Sequence, residues 1–279
     1  MSKTNNCKII RQIKGQITSD GDGVKICRLI GGTELSDLDP FLLFDEFISD
    51  NPDEYIGGFP EHPHRGFETV TYMLAGKMRH EDNQGNKGIL APGDVQWMTA
   101  GKGIIHSEMP EQENGLMWGF QLWVNLPSKS KMTQPHYQDI TSDTIPTDDR
   151  TDGVSIRVIA GKYNNLTGPI VNITTEPLYL DISLEAGVAA SIAIPTTHNR
   201  LLYCYSGTIH VGDTIVERGS LAVLSNDATL SMRSEKLLSS AILFAGLPIR
   251  EPIVRYGPFV MNTHEEIRQA IYDSRTGFI

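Results

Sequence analysis

Short runs rich in β-branched and aromatic residues recur along most of the chain, and Gly or Pro closes most of them. The clearest are GFETVTYMLAG (66–76), GDVQWMTAG (93–101), GLMWGFQLWVNLP (115–127), VSIRVIAG (154–161), RLLYCYSG (200–207), GSLAVLSN (219–226) and SSAILFAG (239–246). Turn residues separate such runs roughly every 8 to 12 positions, which predicts an all-β sandwich or barrel. Apolar residues at helical spacing are absent until the end. There Thr263-His264-Glu265-Glu266 has the form of a capping box, with Ile267, Ala270 and Ile271 at i, i+3 and i+4 behind it. One short helix is expected to close the chain.

The punctuation also repeats. Leu74-Ala75-Gly76 ends one run and Gly93-Asp94 opens the next; Tyr205-Ser206-Gly207 and Gly219-Ser220 follow the same order at a shorter interval. A polar stretch at 128–153 lies between the two copies. The expectation is two tandem β-modules, one over 1–135 and one over 136–279.

Composition narrows the class. With 279 residues, 39% hydrophobic and 21% charged, the chain is neither disordered nor collagen-like. Its net charge of −10 gives no global field for phosphate backbones, so direct nucleic-acid binding is not expected. Cys7, Cys27 and Cys204 are far apart and form no Cys-x-x-Cys pair or disulfide framework. The start carries no signal-peptide apolar run, and no stretch of 18 apolar residues occurs, which reads as a soluble intracellular protein without a membrane segment.

The chemistry gathers in the first module. Four of the eight histidines lie between 62 and 106, in His62-Pro63-His64, His80 and His106-Ser107-Glu108. On a strand, residues two apart share a face about 6.5 to 7 Å apart. Two such strands lining one barrel aim three imidazoles and one carboxylate at a common point, a donor set suited to Fe, Ni, Cu, Mn or Zn. Pro63 cannot donate a ladder hydrogen bond, which places its segment at a strand's start or on a sheet edge. Either pair alone fits core or surface histidines equally well. The pairs gain weight together, in their glycine-rich setting.

HPHRGFETVTYMLAG resembles the first cupin motif, and GKGIIHSE resembles the second. More specifically, DPFLLFDEF (39–47), HPHRGFETV (62–70), PGDVQWMTAGKGIIHSEMP (92–110), QLWVNLP (121–127) and GPFVMNTHEEI (257–267) resemble the pirin family of bicupins, over nearly the whole chain. The resemblance implies two tandem cupin, jelly-roll-like β-barrels with a short C-terminal helix. It also implies one mononuclear metal, iron foremost with Ni, Cu, Mn, Co or Zn as substitutes, held by His62, His64, His106 and Glu108. Glu68 stands where many cupins place a carboxylate ligand; in pirins that Glu is not the ligand. Counting the same intervals through the second half lands on Ala193, Pro195, Met232 and Ser234. None of these is a metal donor, so a metal-free second module is expected.

The resemblance implies quercetin 2,3-dioxygenase-type chemistry, in which dioxygen opens a flavonol ring and Glu108 takes the hydroxyl proton. The alternative it implies is a non-catalytic, iron-dependent redox regulator working through protein partners. A monomer is expected, in the cytoplasm, or with access to the nucleus in a eukaryote. Of Trp97, Trp118, Phe120 and Trp123, most are expected in the core and one or two beside the metal. His80 reads as an exposed loop residue, His198 and His210 as surface or core, and Asp37, Asp39 and Asp45 as a solvated or capping set.

Overall fold

A computed structural model describes residues 6–279. The chain forms two compact units, and neither is a continuous stretch. One comprises Gln16–Ser142 with Ile249–Ile279; the other comprises the N-terminal segment through Gly15 with Asp143–Pro248. The boundary expected after residue 135 falls inside the first unit, just before the strand His136–Ile140. The reason lies in the sheet edges. Ile9–Lys14 pairs with Ser220–Leu224 in the second unit, while His136–Ile140 pairs with Val95–Thr99 in the first.

In the first unit, a seven-stranded antiparallel sheet runs in the order His136–Ile140, Val95–Thr99, Phe67–Ala75, Met117–Asn125, Phe41–Ser49, Val24–Ile30, Gln16–Asp20. A four-stranded sheet, in the order Phe59–His64, Ile104–Pro110, Met78–Asp82, Lys87–Leu90, faces it. Met78 and Leu90 from the smaller sheet close on Val24, Ile26, Phe47, Met73 and Met117 from the larger, which makes the jelly-roll core. The second unit repeats this order except at one edge, where a strand from before its other strands in sequence takes the place that a later strand holds in the first unit. Its larger sheet is Ile9–Lys14, Ser220–Leu224, Asn199–Ser206, Ser239–Gly246, Leu178–Leu184, Val154–Ala160, Thr147–Asp149, and its smaller one is Ala189–Ala193, Thr229–Arg233, Thr208–Val211, Thr214–Glu217. The repeat expected from the glycines is thus a repeat of topology.

The expected helix spans His264–Thr276. Thr263 and Glu266 cap each other as a capping box, and Gly277, with φ 78°, ends it in the left-handed conformation. Its buried Ile267 and Ala270 pack on Phe259 and Met261 of the preceding hairpin. This C-terminal segment also braces the turn after His64. Arg65 donates to Asp273 Oδ2 at 2.7 Å and to the Lys102 carbonyl at 2.5 Å. Buried Lys131 donates to the Gly66 and Val260 carbonyls and to Asn125 Oδ1. Among the described residues, no helix is long and apolar enough to cross a membrane.

Candidate metal centre

His62 and His64 lie on Phe59–His64, which is the edge strand Pro63 requires, and His106 and Glu108 lie on the neighbouring Ile104–Pro110. The register sets His106 opposite His62 and Ile104 opposite His64. An irregularity between His106 and Glu108 then brings Glu108 opposite Phe59. Both i, i+2 pairs face inward. His64, His106 and Glu108 are buried and His62 is half-buried.

The three imidazoles converge. Their ring centroids are 4.5 to 5.0 Å apart, and one nitrogen from each lies within 4.8 Å of the others. His62 Nδ1 is 2.7 Å from the Pro60 carbonyl. A carbonyl can only accept, so the neutral ring carries its proton on Nδ1 and turns the Nε2 lone pair inward. That Nε2 is 3.0 Å from His64 Nε2. His64 Nδ1 and both nitrogens of His106 are buried without a hydrogen-bond partner among the described residues, a cost of about 1–3 kcal/mol for each such group. Burial, and then the neighbouring imidazoles, hold His64 and His106 well below the usual histidine pKa. Converging imidazoles with orphaned nitrogens, two of them kept neutral by burial, are the arrangement a first-row metal completes.

Glu108 stands at the same site but outside the three-histidine group. Thr71 Oγ1 donates to its Oε1 at 2.9 Å and Gln121 Nε2 to its Oε2 at 3.2 Å. It lines one cavity with His62 and His64. Glu68 is held elsewhere: Thr99 donates to it at 2.7 Å, and burial pushes its carboxyl up to about 7.

The cavity holds about 360 Å³, and Ile26, Leu43, Phe47, Phe59 and Trp123 form its apolar wall. Of the four aromatic candidates, Trp97 and Phe120 are buried in the core, and Trp118 donates to Glu46 at 2.8 Å. Trp123 is the one beside the histidines, its ring centre 5.2 Å from that of His64 and 4.4 Å from that of Phe67.

Two readings need correction. Asp45 is not a solvated carboxylate: it is buried on the cavity wall and accepts two hydrogen bonds from Arg28, at 3.0 and 2.7 Å. Burial pushes it up to about 6 against the pull of that guanidinium. Its buried apolar neighbours at i±2, Leu43 and Phe47, were the available signal. His80 is not in an exposed loop. It is buried on Met78–Asp82, where Gln96 Nε2 lies 2.7 Å from its Nδ1. Gly88 leaves it room, since a Cβ there would come within 2.1 Å of His80 Nε2. Arg28 and Arg255 had no local signal.

Strand pairing fixes the matching positions in the second unit. Glu108 faces His80, as Met232 faces Val211; His106 faces His62, as Leu230 faces Ile192. The counterparts of His62, His64, His106 and Glu108 are therefore Ile192, Ile194, Leu230 and Met232, all packed in one apolar core. Counting along the chain missed all four assignments, reaching Met232 for His106 rather than for Glu108, because the turns differ in length between the copies. His198 and His210 are both buried, His198 with the Glu176 carbonyl 2.9 Å from its Nε2.

The pirin family model matches residues 23–124, and the model of the pirin C-terminal cupin domain matches 179–279. The chain is similar to a Pseudomonas aeruginosa protein named "putative quercetin 2,3-dioxygenase", 51% identical over 95% of both chains. It is also similar to human pirin, 44% identical over 96% of this chain and 92% of that one. The crystal structure of a quercetin 2,3-dioxygenase from Acinetobacter baumannii superposes with a TM-score of 0.90, at 36% identity and 98% coverage of each chain. The repeated jelly roll, the histidine group and these matches agree: this chain belongs to the pirin family of bicupins.

Proposed function

We propose that His62, His64, His106 and Glu108 hold one metal ion, iron foremost, and that the site opens a flavonol ring with dioxygen, as a quercetin 2,3-dioxygenase does. The observation that carries the reading is the convergence of three imidazoles, two of which line a largely apolar cavity. When bound, the metal supplies Lewis acidity and open coordination positions. The protein's own part follows from its geometry. The Pro60 carbonyl sets the His62 tautomer, and Phe67 and Trp123 brace the His64 ring edge-on. Glu108, held by Thr71 and Gln121, accepts the proton of the flavonol 3-hydroxyl. Ile26, Leu43, Phe47 and Phe59 exclude water from the flat body of the substrate. The second unit, with Ile192, Ile194, Leu230 and Met232 at the matching positions, carries no metal in this reading.

The test is oxygen uptake with quercetin after anaerobic reconstitution with Fe(II), beside the H62A/H106A double variant. Uptake with carbon monoxide release, lost in the variant together with bound metal, is the expected result. Full iron occupancy without uptake would overturn the oxygenase and leave the redox regulator acting through protein partners. Full occupancy in the double variant would overturn the ligand assignment.

A further inference from the structure

The cavity beside the histidines carries one cation for which the proposed chemistry has no use. Arg255 is the single Lys or Arg among the described residues that line it. Two contacts fix its guanidinium: the central carbon lies 4.7 Å from the middle of the Trp123 ring, and Nη1 donates to the Leu42 carbonyl at 3.3 Å. Two of the three carboxylates that line the cavity, Asp20 and Asp45, take hydrogen bonds from a different arginine. Asp45 takes two hydrogen bonds from Arg28 and Asp20 takes another. Among the described residues, no carboxylate comes within ion-pair distance of Arg255. Of the five N–H donors of a guanidinium, most are left for a ligand.

The same cavity is thus lined by His62 and His64, by an apolar wall and by a guanidinium. Trp123 stands between His64 and Arg255, its ring centre 5.2 Å from that of His64 and 4.7 Å from the Arg255 guanidinium. A guanidinium already seated on an indole loses little freedom when it takes a planar anion.

We propose that Arg255 is the specificity-determining residue of this cavity, binding the carboxylate of a planar aromatic ligand whose other end faces the histidines. The inference rests on reading the cavity as the substrate site. It means that, of two planar ligands otherwise alike, the one that carries a carboxylate is held more tightly in this cavity.

Calorimetry on the metal-loaded protein with 2-naphthoate and 2-naphthamide tests it, because the two probes share a shape and differ in charge. The native protein is expected to bind the carboxylate roughly tenfold more tightly than the amide. R255Q should abolish that preference with metal content and melting temperature unchanged, and R255K should keep part of it. Equal binding of the probes by the native protein, or no binding of either, overturns the proposal. So does a preference that survives in R255Q, which would seat the carboxylate at the histidine end. The readout is binding, so a failure of quercetin turnover leaves this result standing. Normal turnover in R255Q with no native preference sinks only the role of Arg255.

Discussion

Thr71 donates to Glu108 across the gap between the two sheets of the first unit, Oγ1 to Oε1 at 2.9 Å. Its hydroxyl has one proton and two acceptors in reach, because Gln121 Oε1 is 2.7 Å away. Gln121 in turn donates to the other oxygen of Glu108. The carboxylate is thus oriented from the larger sheet while its backbone belongs to the smaller one. Removing either partner should loosen that orientation without unfolding the barrel. T71V or Q121L is expected to weaken metal binding by about 10- to 100-fold, measured by competition with a chelator. Unchanged affinity in both variants would mean that Glu108 needs no such support.

The turn after His64 admits only glycine. Gly66 has φ +89°, and a Cβ there would lie 2.1 Å from the Val260 carbonyl oxygen. G66A must displace either the C-terminal hairpin or the end of the histidine strand. A loss of roughly 2–4 kcal/mol is expected, together with reduced metal occupancy. Denaturant unfolding and metal analysis read the two effects, and a variant of native stability would contradict the contact.

Asp45 and Arg28 form an ion pair on the cavity wall, with the carboxylate buried. D45N leaves the guanidinium with Asp20 alone at the exposed end. Burial pushes the Asp45 carboxyl up to about 6, so the neutral amide sheds a charge that the folded state disfavours. D45N should therefore lose well under the roughly 3 kcal/mol that breaking a buried pair outright costs, read by urea unfolding. A loss of that full size would mean that the pairing with Arg28 outweighs the burial of the carboxylate.

The metal-stripped protein should lose histidine-linked stability in acid. Burial holds His64 and His106 well below the ordinary histidine pKa, which is about 6.5 in an unfolded chain. Below that pH the unfolded state binds more protons than the folded one, so stability falls as pH falls, by about 1.4 kcal/mol per pH unit for each group. Glu68 and Asp45, raised to about 7 and about 6, act with the opposite sign: they favour the folded state in acid and lose that contribution as pH rises. Comparison with H106L isolates the histidine contribution. Between pH 7 and 5.5 the native protein should lose more stability than H106L, and parallel curves would show that His106 does not titrate as buried.

Sequence alone determined the all-β class, the capped terminal helix and the pairing of His62 with His64 and of His106 with Glu108. Each of these is encoded locally: strands repeat every two residues, and a cap spans four. The tertiary structure decided the rest. It set which unit each chain end completes, that His80 turns inward, that Asp45 meets Arg28, and that Ile192, Ile194 and Leu230 replace the three histidines in the second copy. It also placed Thr71 and Gln121 on Glu108, and Arg255 over Trp123. Those contacts join residues distant in sequence, through strand order, register and turn length. A two-residue period fixes which face a side chain takes, but not what stands opposite it.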